Sequence, residues 1–173
     1  MTDALMSLAT AGFFAAKWTT KIEDEWIRSL EKQRPDLAGK LWIRRDGMRD
    51  AIPDWEVPES AWSSITGGIV LPDPGDVHVL AAAIAGHADC IVTANLKDFP
   101  NSVLMHYGIE AIDPDTFIIN QWDLDPVNAI AAFKRMRARR KKPQSSPEDF
   151  AYALEIGGLP TTAERLRLAA ELI

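Results

Sequence analysis

A carboxylate at the start of an apolar helical face is the first candidate for chemistry in this sequence. The segment PDPGDVHVLAAAIAG predicts a helix over residues 74–85, with Asp73 as its N-cap. Asp76 lies on the same stripe of that helix as Leu80, so it begins the face expected to be buried. For Asp73 we favour a capping role. For Asp76, a functional role and a simple contribution to the helix dipole are about equally supported.

A second group of polar side chains follows the next predicted strand. Thr93 ends that strand, and Asn95 and Asp98 come directly after it. In open α/β sheets the carboxyl ends of the strands and the first turns of the helices lie at one edge, where binding sites form. Carboxylate oxygens are ligands that Mg²⁺ and Mn²⁺ prefer. From the pattern alone, an Asn turn and a surface Asp are favoured.

Three consecutive acids lie in an earlier predicted helix that begins at Thr20 and ends before Pro35. Glu23 stands at the third helical position and completes a predicted capping box. Asp24 points away from the apolar stripe of the helix. Glu25 borders that stripe, and periodicity alone favours a solvated charge.

The elements that must position these side chains follow an order typical of an α/β fold with a small parallel sheet flanked by helices. From residue 113 onward the periodicity is helical, so we predict a boundary near residue 123 and an all-helical C-terminal extension. The predicted strands are 13–18 (FFAAKW), 68–71 (GIVL), 90–93 and 109–112. The predicted helices are 3–13, 20–34, 36–52, 74–85, 101–107, 114–121, 126–142, 147–156 and 161–172.

Composition excludes several classes of protein. The chain has 173 residues, of which 47% are hydrophobic and 25% charged, so neither disorder nor a fibrous architecture is indicated. The single cysteine, Cys90, can form neither an internal disulfide nor a multi-cysteine metal site. The three histidines lack the paired spacing of a zinc site, and each is predicted to be an ordinary surface or boundary residue. The sequence has no apolar run of ~18 residues and no signal-peptide pattern at its start, so we expect a cytoplasmic protein.

Basic charge is concentrated in the segment KRMRARRKK, residues 134–142, within a chain of net charge −6. A solvated helix end is the commonest outcome for such a run, and binding of RNA phosphates is the alternative. Residues 147–172 faintly resemble a helix-turn-helix, with too little basic charge in the second helix to favour DNA binding. The basic residues of the segment are Lys134, Arg135, Arg137, Arg139, Arg140, Lys141 and Lys142.

The segment PDPGDVHVLAAAIAGHADCIVTANLKDFP strongly resembles the second half of a PIN domain, the metal-dependent ribonuclease fold of VapC-like toxins in bacterial toxin-antitoxin pairs. Residues 95–99 (NLKDF) are similar to the family's N-x-x-D-F variant. Glu25, directly before Trp26, resembles the acid that precedes an aromatic residue in the family's early helix. The resemblance implies a three-layer α/β/α PIN-like domain over residues 1–122 and a helical extension over residues 123–173.

The resemblance also implies a site and its partners. The implied cofactor is Mg²⁺ or Mn²⁺, the substrate is RNA, and a cognate antitoxin is the protein partner. The basic segment would then bind RNA or the antitoxin's acidic tail. The implied catalytic residues are Glu25, Asp76 and Asp98. The implied metal ligands are Asp76, Asp98, Asp73 and Glu25, and Thr93 and Asn95 are implied to support them.

One expected feature has no counterpart in the sequence. PIN domains begin with an apolar strand that carries an Asp, and no segment here matches it. We therefore expect an N-terminally shortened ribonuclease with low or no activity. We also expect a homodimer or higher oligomer, because a sheet without its first strand exposes edges and apolar faces. The alternative is a non-catalytic protein that binds RNA or an antitoxin through residues 134–142.

Overall fold

The computed structural model describes residues 1–139 and 145–173. The described chain forms two compact units, each with its own apolar core. We call residues 15–91 and 95–111 the central unit, and the described part of residues 1–14, 92–94 and 112–173 the helical unit. None of the helices within the described residues is both long and apolar enough to cross a membrane.

Apart from the short helix at Glu59–Trp62, where no helix is predicted, the helices follow the predicted order, and most predicted bounds are confirmed within a few residues. The predicted helix over residues 36–52 is shorter, because Gly39 adopts a positive φ of 70° that interrupts it. Short 3₁₀ turns lie at Pro35–Leu37, Ser63–Gly68, Pro74–Asp76, Leu96–Asp98 and Met105–Tyr107. The α-helices are α1 (Thr2–Thr10), α2 (Thr20–Gln33), α3 (Trp42–Ala51), α4 (Glu59–Trp62), α5 (Val77–Ala85), α6 (Asn101–Leu104), α7 (Pro114–Leu124), α8 (Pro126–Ala138), α9 (Pro147–Ile156) and α10 (Pro160–Leu168).

The sheet has two strands, β1 (Cys90–Val92) and β2 (Glu110–Ile112). The Glu110 N–H donates to the Asp89 carbonyl (3.1 Å), and the Thr93 N–H donates to the Ile112 carbonyl (2.9 Å). This staggered pattern is that of parallel strands. The structure confirms the predicted small parallel sheet and helical C-terminal region.

The other two predicted strands are wrong. Residues 68–71 are extended at Ile69, which is buried, while Val70 is 81% exposed. The apolar run GIVL predicts a buried strand, whereas the burial alternates along it, and among the described residues no strand pairs with it. In the segment 13–18, only Trp18 forms a β-bridge, an isolated one with Glu56. An apolar pattern selects an extended conformation, whereas a strand also needs a partner.

The helical unit is held by one core to which each of its α-helices contributes. The first helix, α1, shares this core with α7–α10, so it packs with the predicted extension. The predicted boundary near residue 123, between a PIN-like domain and a helical extension, stays a prediction. Fully buried side chains from α1, α7, α8, α9 and α10 are, respectively, Leu8, Ile118, Phe133, Phe150 and Leu166.

A buried carboxylate joins two helices of this unit. Asp115, in the first turn of α7, accepts hydrogen bonds from the backbone N–H groups of Thr161 (2.7 Å) and Thr162 (2.9 Å). It also accepts one from the Thr162 hydroxyl (2.6 Å). These donors lie in the first turn of α10, where backbone N–H groups lack partners within the helix. Asp115 therefore caps α10 from a neighbouring helix.

In the central unit, Glu23 binds a distant cation and forms no capping box. The N-cap of α2 is Thr19, whose hydroxyl accepts from the Ile22 N–H (3.1 Å). Glu23 is only 1% exposed and forms an ion pair with Arg49 of α3, whose Nε lies 3.0 Å from Oε1. The predicted capping box is wrong because the carboxylate turns inward to the guanidinium.

Two tryptophans complete this arrangement. Trp18 Nε1 donates to Glu23 (2.9 Å), and the Trp18 and Trp55 rings stack at 5.1 Å. The Arg49 guanidinium lies 4.6 Å from the centre of the Trp55 ring, a cation–π contact. We call Trp18, Glu23, Arg49 and Trp55 the Glu23 cluster. It fixes α2 against α3 and the segment that follows α3.

The Glu23 cluster yields a prediction about stability. Arg49→Met retains most of the side-chain stem but leaves a buried carboxylate without its cation. We expect a loss of about 3–5 kcal/mol in the free energy of unfolding. Urea unfolding, followed by tryptophan fluorescence and circular dichroism, measures the change. Arg28→Met, at an exposed position of α2, is the control and should change stability by about 0.5 kcal/mol or less.

A double substitution separates charge burial from packing. Glu23→Gln in the Arg49→Met background removes the uncompensated charge, so the double variant should be more stable than Arg49→Met alone. If Arg49→Met unfolded at the wild-type urea concentration, the ion pair would contribute nothing to the fold.

Candidate metal centre

The start of α5 places two acids next to each other. Asp73 is the N-cap, as predicted, and its carboxylate accepts the Gly75 N–H at 2.7 Å. Residues 74–76 then form a 3₁₀ turn that leads directly into α5. The Asp76 side chain makes no capping hydrogen bond, although its backbone stands at the N-cap of α5. Its carboxylate is therefore not used for local helix capping.

A third acid joins them from the turn after β1. One carboxylate oxygen from each of Asp73, Asp76 and Asp98 lies within 4.8 Å of the others. Asp73 is exposed, whereas Asp76 and Asp98 are half-buried. We call these three residues the acidic cluster. The turn at Leu96–Asp98 positions Asp98, and the Asn95 amide donates a hydrogen bond to its carboxylate.

The donor set fits a hard divalent cation. Ligands on opposite sides of an octahedral Mg²⁺ are about 4.2 Å apart, because each lies about 2.1 Å from the ion. Oxygens separated by up to 4.8 Å can reach one such ion with small movements of the side chains. Carboxylates with open positions for water are the ligands that Mg²⁺ and Mn²⁺ favour.

The electrostatics of Asp76 agree with this interpretation. Partial burial raises the pKa of Asp76 above its ordinary value, and the negative charges of Asp73, Asp98 and Glu25 raise it further. A bound cation would remove this unfavourable interaction.

Glu25 lies near the acidic cluster without belonging to it. Its carboxylate oxygens are 3.0 and 3.1 Å from Nε2 of His78, on α5. Its charge acts on Asp76, but its oxygens are outside the group that lies within 4.8 Å. The structure thus brings all four predicted metal ligands into the central unit and places three of them at one point.

His78 is the residue near this site that the sequence interpretation missed. A surface or boundary position is predicted for it, yet it is 3% exposed. Burial lowers the pKa of His78, and the neighbouring Glu25 carboxylate opposes that effect. The predicted stripe of α5 is centred on Asp76 and Leu80, whereas the helix also buries its face at His78 and residues 81–82. Only the contact with Glu25 of α2 shows that this histidine lies beside the site.

Two further groups of predicted residues have other surroundings. Thr93 follows β1 in the helical unit, where its N–H donates to the Ile112 carbonyl, and its supporting role stays a prediction. Within the basic segment, Arg140, Lys141 and Lys142 lie outside the described residues.

The described part of the basic segment contributes to the packing of the helical unit. Arg137 donates to the main-chain oxygens of Ser145 (2.8 Å) and Ile173 (2.9 Å). Arg139 donates to the Ser7 hydroxyl (2.7 Å), and Lys134 donates to the Leu172 carbonyl (3.0 Å). Arg135 is exposed. These four hydrogen bonds, donated by three basic residues, give part of the segment a structural role that its composition does not indicate.

The fold and the acidic cluster define the class: an α/β protein with a candidate divalent-metal centre built from carboxylates. Residues 114–168 match the family model described as the VapC50 C-terminal domain. A relative from Mycobacterium tuberculosis (strain ATCC 25618 / H37Rv), named "Putative ribonuclease VapC50", is 53% identical over 49 residues. No solved structure matches the chain with significance.

These matches are partial. The alignment with the relative covers 28% of this chain and 29% of that protein. They nevertheless confirm the predicted resemblance to VapC-like toxins, since residues 114–168 are similar to the VapC50 C-terminal domain. The acidic cluster lies outside the residues that the family model matches.

The raised pKa of Asp76 predicts a stability gain when its charge is removed. Asp76→Asn should raise the melting temperature of the metal-free protein at pH 7. The folded wild type binds the Asp76 proton more tightly than the unfolded chain does, so its stability falls as the pH rises through the pKa of folded Asp76. Asp76→Asn has no carboxylate at this position, so it does not lose stability in this way as the pH rises.

Thermal unfolding in chelator from pH 3.5 to pH 7.5 measures the effect. The difference between Asp76→Asn and wild type should be largest at neutral pH. It should shrink as the pH falls toward the ordinary Asp value of 3.8. A variant less stable than wild type at pH 7 would mean that Asp76 has a structural role.

Proposed function

We propose that this chain is a Mg²⁺- or Mn²⁺-dependent endoribonuclease-type protein of the VapC-like kind, the toxin of a toxin-antitoxin pair. The observation that carries the proposal is the acidic cluster, in which three carboxylates converge beside α5 and Asp76 has a raised pKa. The match to the VapC50 C-terminal domain and the name of the relative support a ribonuclease of this kind.

In this proposal each acid has its own role. Asp76 and Asp98 hold the cation directly or through water, and the exposed Asp73 contributes the oxygen that its capping bond leaves available. Asn95 orients Asp98 through its amide. Glu25 acts as a further ligand or orients one. When bound, the cation supplies an activated water for attack on an RNA phosphodiester and stabilises the leaving oxygen.

The number of anionic ligands sets the strength of cation binding, because fewer of them hold a divalent cation more weakly. Among the described residues, the acidic cluster provides three close carboxylates, with Glu25 further away. The cognate antitoxin and RNA are the proposed partners, and a homodimer or higher oligomer stays a prediction that light scattering tests.

Metal binding and cleavage test the proposal together. Mn²⁺ at about 100 times its dissociation constant should stabilise the wild type by about 2.7 kcal/mol. Asp76→Asn and Asp98→Asn should lose most of this gain, because each removes a charged ligand. Any RNA cleavage in Mn²⁺ should fall on the order of 100-fold in both variants, as it does when other enzymes lose one charge-stabilising group.

Asp24→Asn is the matched control, because Asp24 is exposed on α2 and lies outside the acidic cluster. It should retain both metal stabilisation and any cleavage. RNA cleavage in Mn²⁺ at a rate unaffected by Asp76→Asn would contradict the proposal.

A second candidate function is RNA or antitoxin binding without catalysis, through residues 134–142. The exposed side chain of Arg135 favours this second function. Arg137 donates to two main-chain oxygens, whereas among the described residues no main-chain oxygen accepts a hydrogen bond from the Arg135 side chain. An exposed guanidinium is available to phosphates or to the acidic segment of a partner.

Salt dependence tests this second candidate. Each phosphate contact to single-stranded RNA contributes about 0.7 to the slope of log affinity against log salt concentration. Arg135→Ala should therefore reduce the slope by about 0.7, whereas Lys32→Ala, at an exposed position of α2, should leave it unchanged. Equal slopes for wild type and Arg135→Ala would exclude Arg135 from phosphate binding.

A further inference from the structure

His78 presents its two ring nitrogens to different surroundings in the interior of the central unit. Nε2 lies 3.0 Å and 3.1 Å from the two carboxylate oxygens of Glu25. Nδ1 is buried and has no hydrogen-bond partner among the described residues. The ring itself is 3% exposed. A buried polar atom without a hydrogen-bond partner lowers the stability of the fold, so the group that lies beside Nδ1 matters.

The neighbouring aromatic ring is that of Trp62, at the end of α4. Its centre lies 6.0 Å from that of His78, with an angle of 48° between the two planes. Trp62 Nε1 is also buried without a partner among the described residues. The indole N–H can only donate, and Nδ1 of a neutral imidazole whose Nε2 carries the hydrogen can only accept. The two atoms are therefore complementary, directly or through one buried water.

We propose that His78 is a positioning residue that holds the Glu25 carboxylate beside the acidic cluster, and that Trp62 fixes the His78 tautomer that donates from Nε2. The inference rests on the proposed metal site. It assigns Glu25 to that site through a hydrogen bond from α5, the helix whose N-terminus carries Asp76.

The difference in exposure between Glu25 and His78 indicates that His78 positions Glu25 and not the reverse. The Glu25 side chain is 42% exposed and has several rotatable bonds, so solvent alone would leave its carboxylate in many positions. His78 is fixed by burial on a helix that also begins at the acidic cluster. A rigid donor on α5 therefore selects one position for a flexible acceptor on α2.

A purely structural role for His78 would connect α2 to α5 without any effect on metal binding. The Glu23 cluster already fixes α2 within the central unit through Arg49 and Trp18, independently of His78. The positioning role differs from the structural one in a measurable way, because it acts only through the Glu25 carboxylate.

Two amide substitutions of His78 provide a matched pair. Gln carries its amide nitrogen at about the distance of Nε2 from the backbone, so His78→Gln can donate to Glu25. Asn carries its amide nitrogen near the position of Nδ1, so His78→Asn cannot reach Glu25. Both variants keep a polar amide in the same buried space, and both should lower the stability of the metal-free protein.

The experiment is isothermal titration of the full chain with MnCl₂, with thermal unfolding of each variant in chelator. His78→Asn should weaken Mn²⁺ binding by about 10- to 100-fold, the usual effect of removing a group that orients a metal ligand. His78→Gln should bind Mn²⁺ close to the wild-type affinity. In the Glu25→Gln background, His78→Asn should cause no further loss.

The outcomes separate this inference from the proposed function. If the wild type bound no Mn²⁺, the metal site would be wrong and the role of His78 with it. If the wild type bound Mn²⁺ and both amide variants retained its affinity, the positioning role alone would be wrong. Equal loss in the two variants, or a loss by His78→Asn that persisted in the Glu25→Gln background, would also overturn it.

Discussion

Carboxylates held within 4.8 Å of one another repel, and the local structure of the central unit opposes that repulsion. Asp73 is fixed by the helix start that it caps, Asp98 by the amide of Asn95, and Asp76 by the first turn leading into α5. Partial burial, and after it the charges of the neighbouring carboxylates, raise the pKa of Asp76, and this is the measurable cost of the arrangement. Such a cost is expected where a protein prepares anionic ligands for a cation.

The rest of the central unit supplies the rigidity that this requires. The Glu23 cluster anchors α2, which carries Glu25, and the buried face of α5 anchors the helix whose start carries Asp76. In the helical unit, comparable tasks fall to Asp115, which caps α10, and to Arg137, which donates to two main-chain oxygens. Charged side chains in both units are thus used for structure as well as for the candidate functions.

Local signals predict the helix start and the turn that carry the acidic cluster, but they do not predict the cluster itself. The Pro after Asp73 and the end of the strand before Asp98 gave the helix start and the turn, and the family resemblance grouped these acids. What the sequence interpretation missed depends on distant partners. The local pattern predicts a capping box for Glu23 because its cation, Arg49, lies 26 residues away in the sequence. The pattern predicts a surface or boundary position for His78 because helical periodicity does not reveal that α2 and α4 cover it.

Strand prediction failed for a related reason. Residues 68–71 have the alternating burial of a strand, but pairing needs a second segment, and within the described chain only β1 and β2 form a ladder.

The central claim is that the acidic cluster binds a divalent cation, and the most direct test of it is an anomalous difference map from crystals grown with MnCl₂. We predict a peak coordinated by Asp76 and Asp98, with Asp73 beside it and Glu25 oriented toward it by His78. An acidic cluster without a peak in such crystals, while Mn²⁺ bound at other residues, would contradict it.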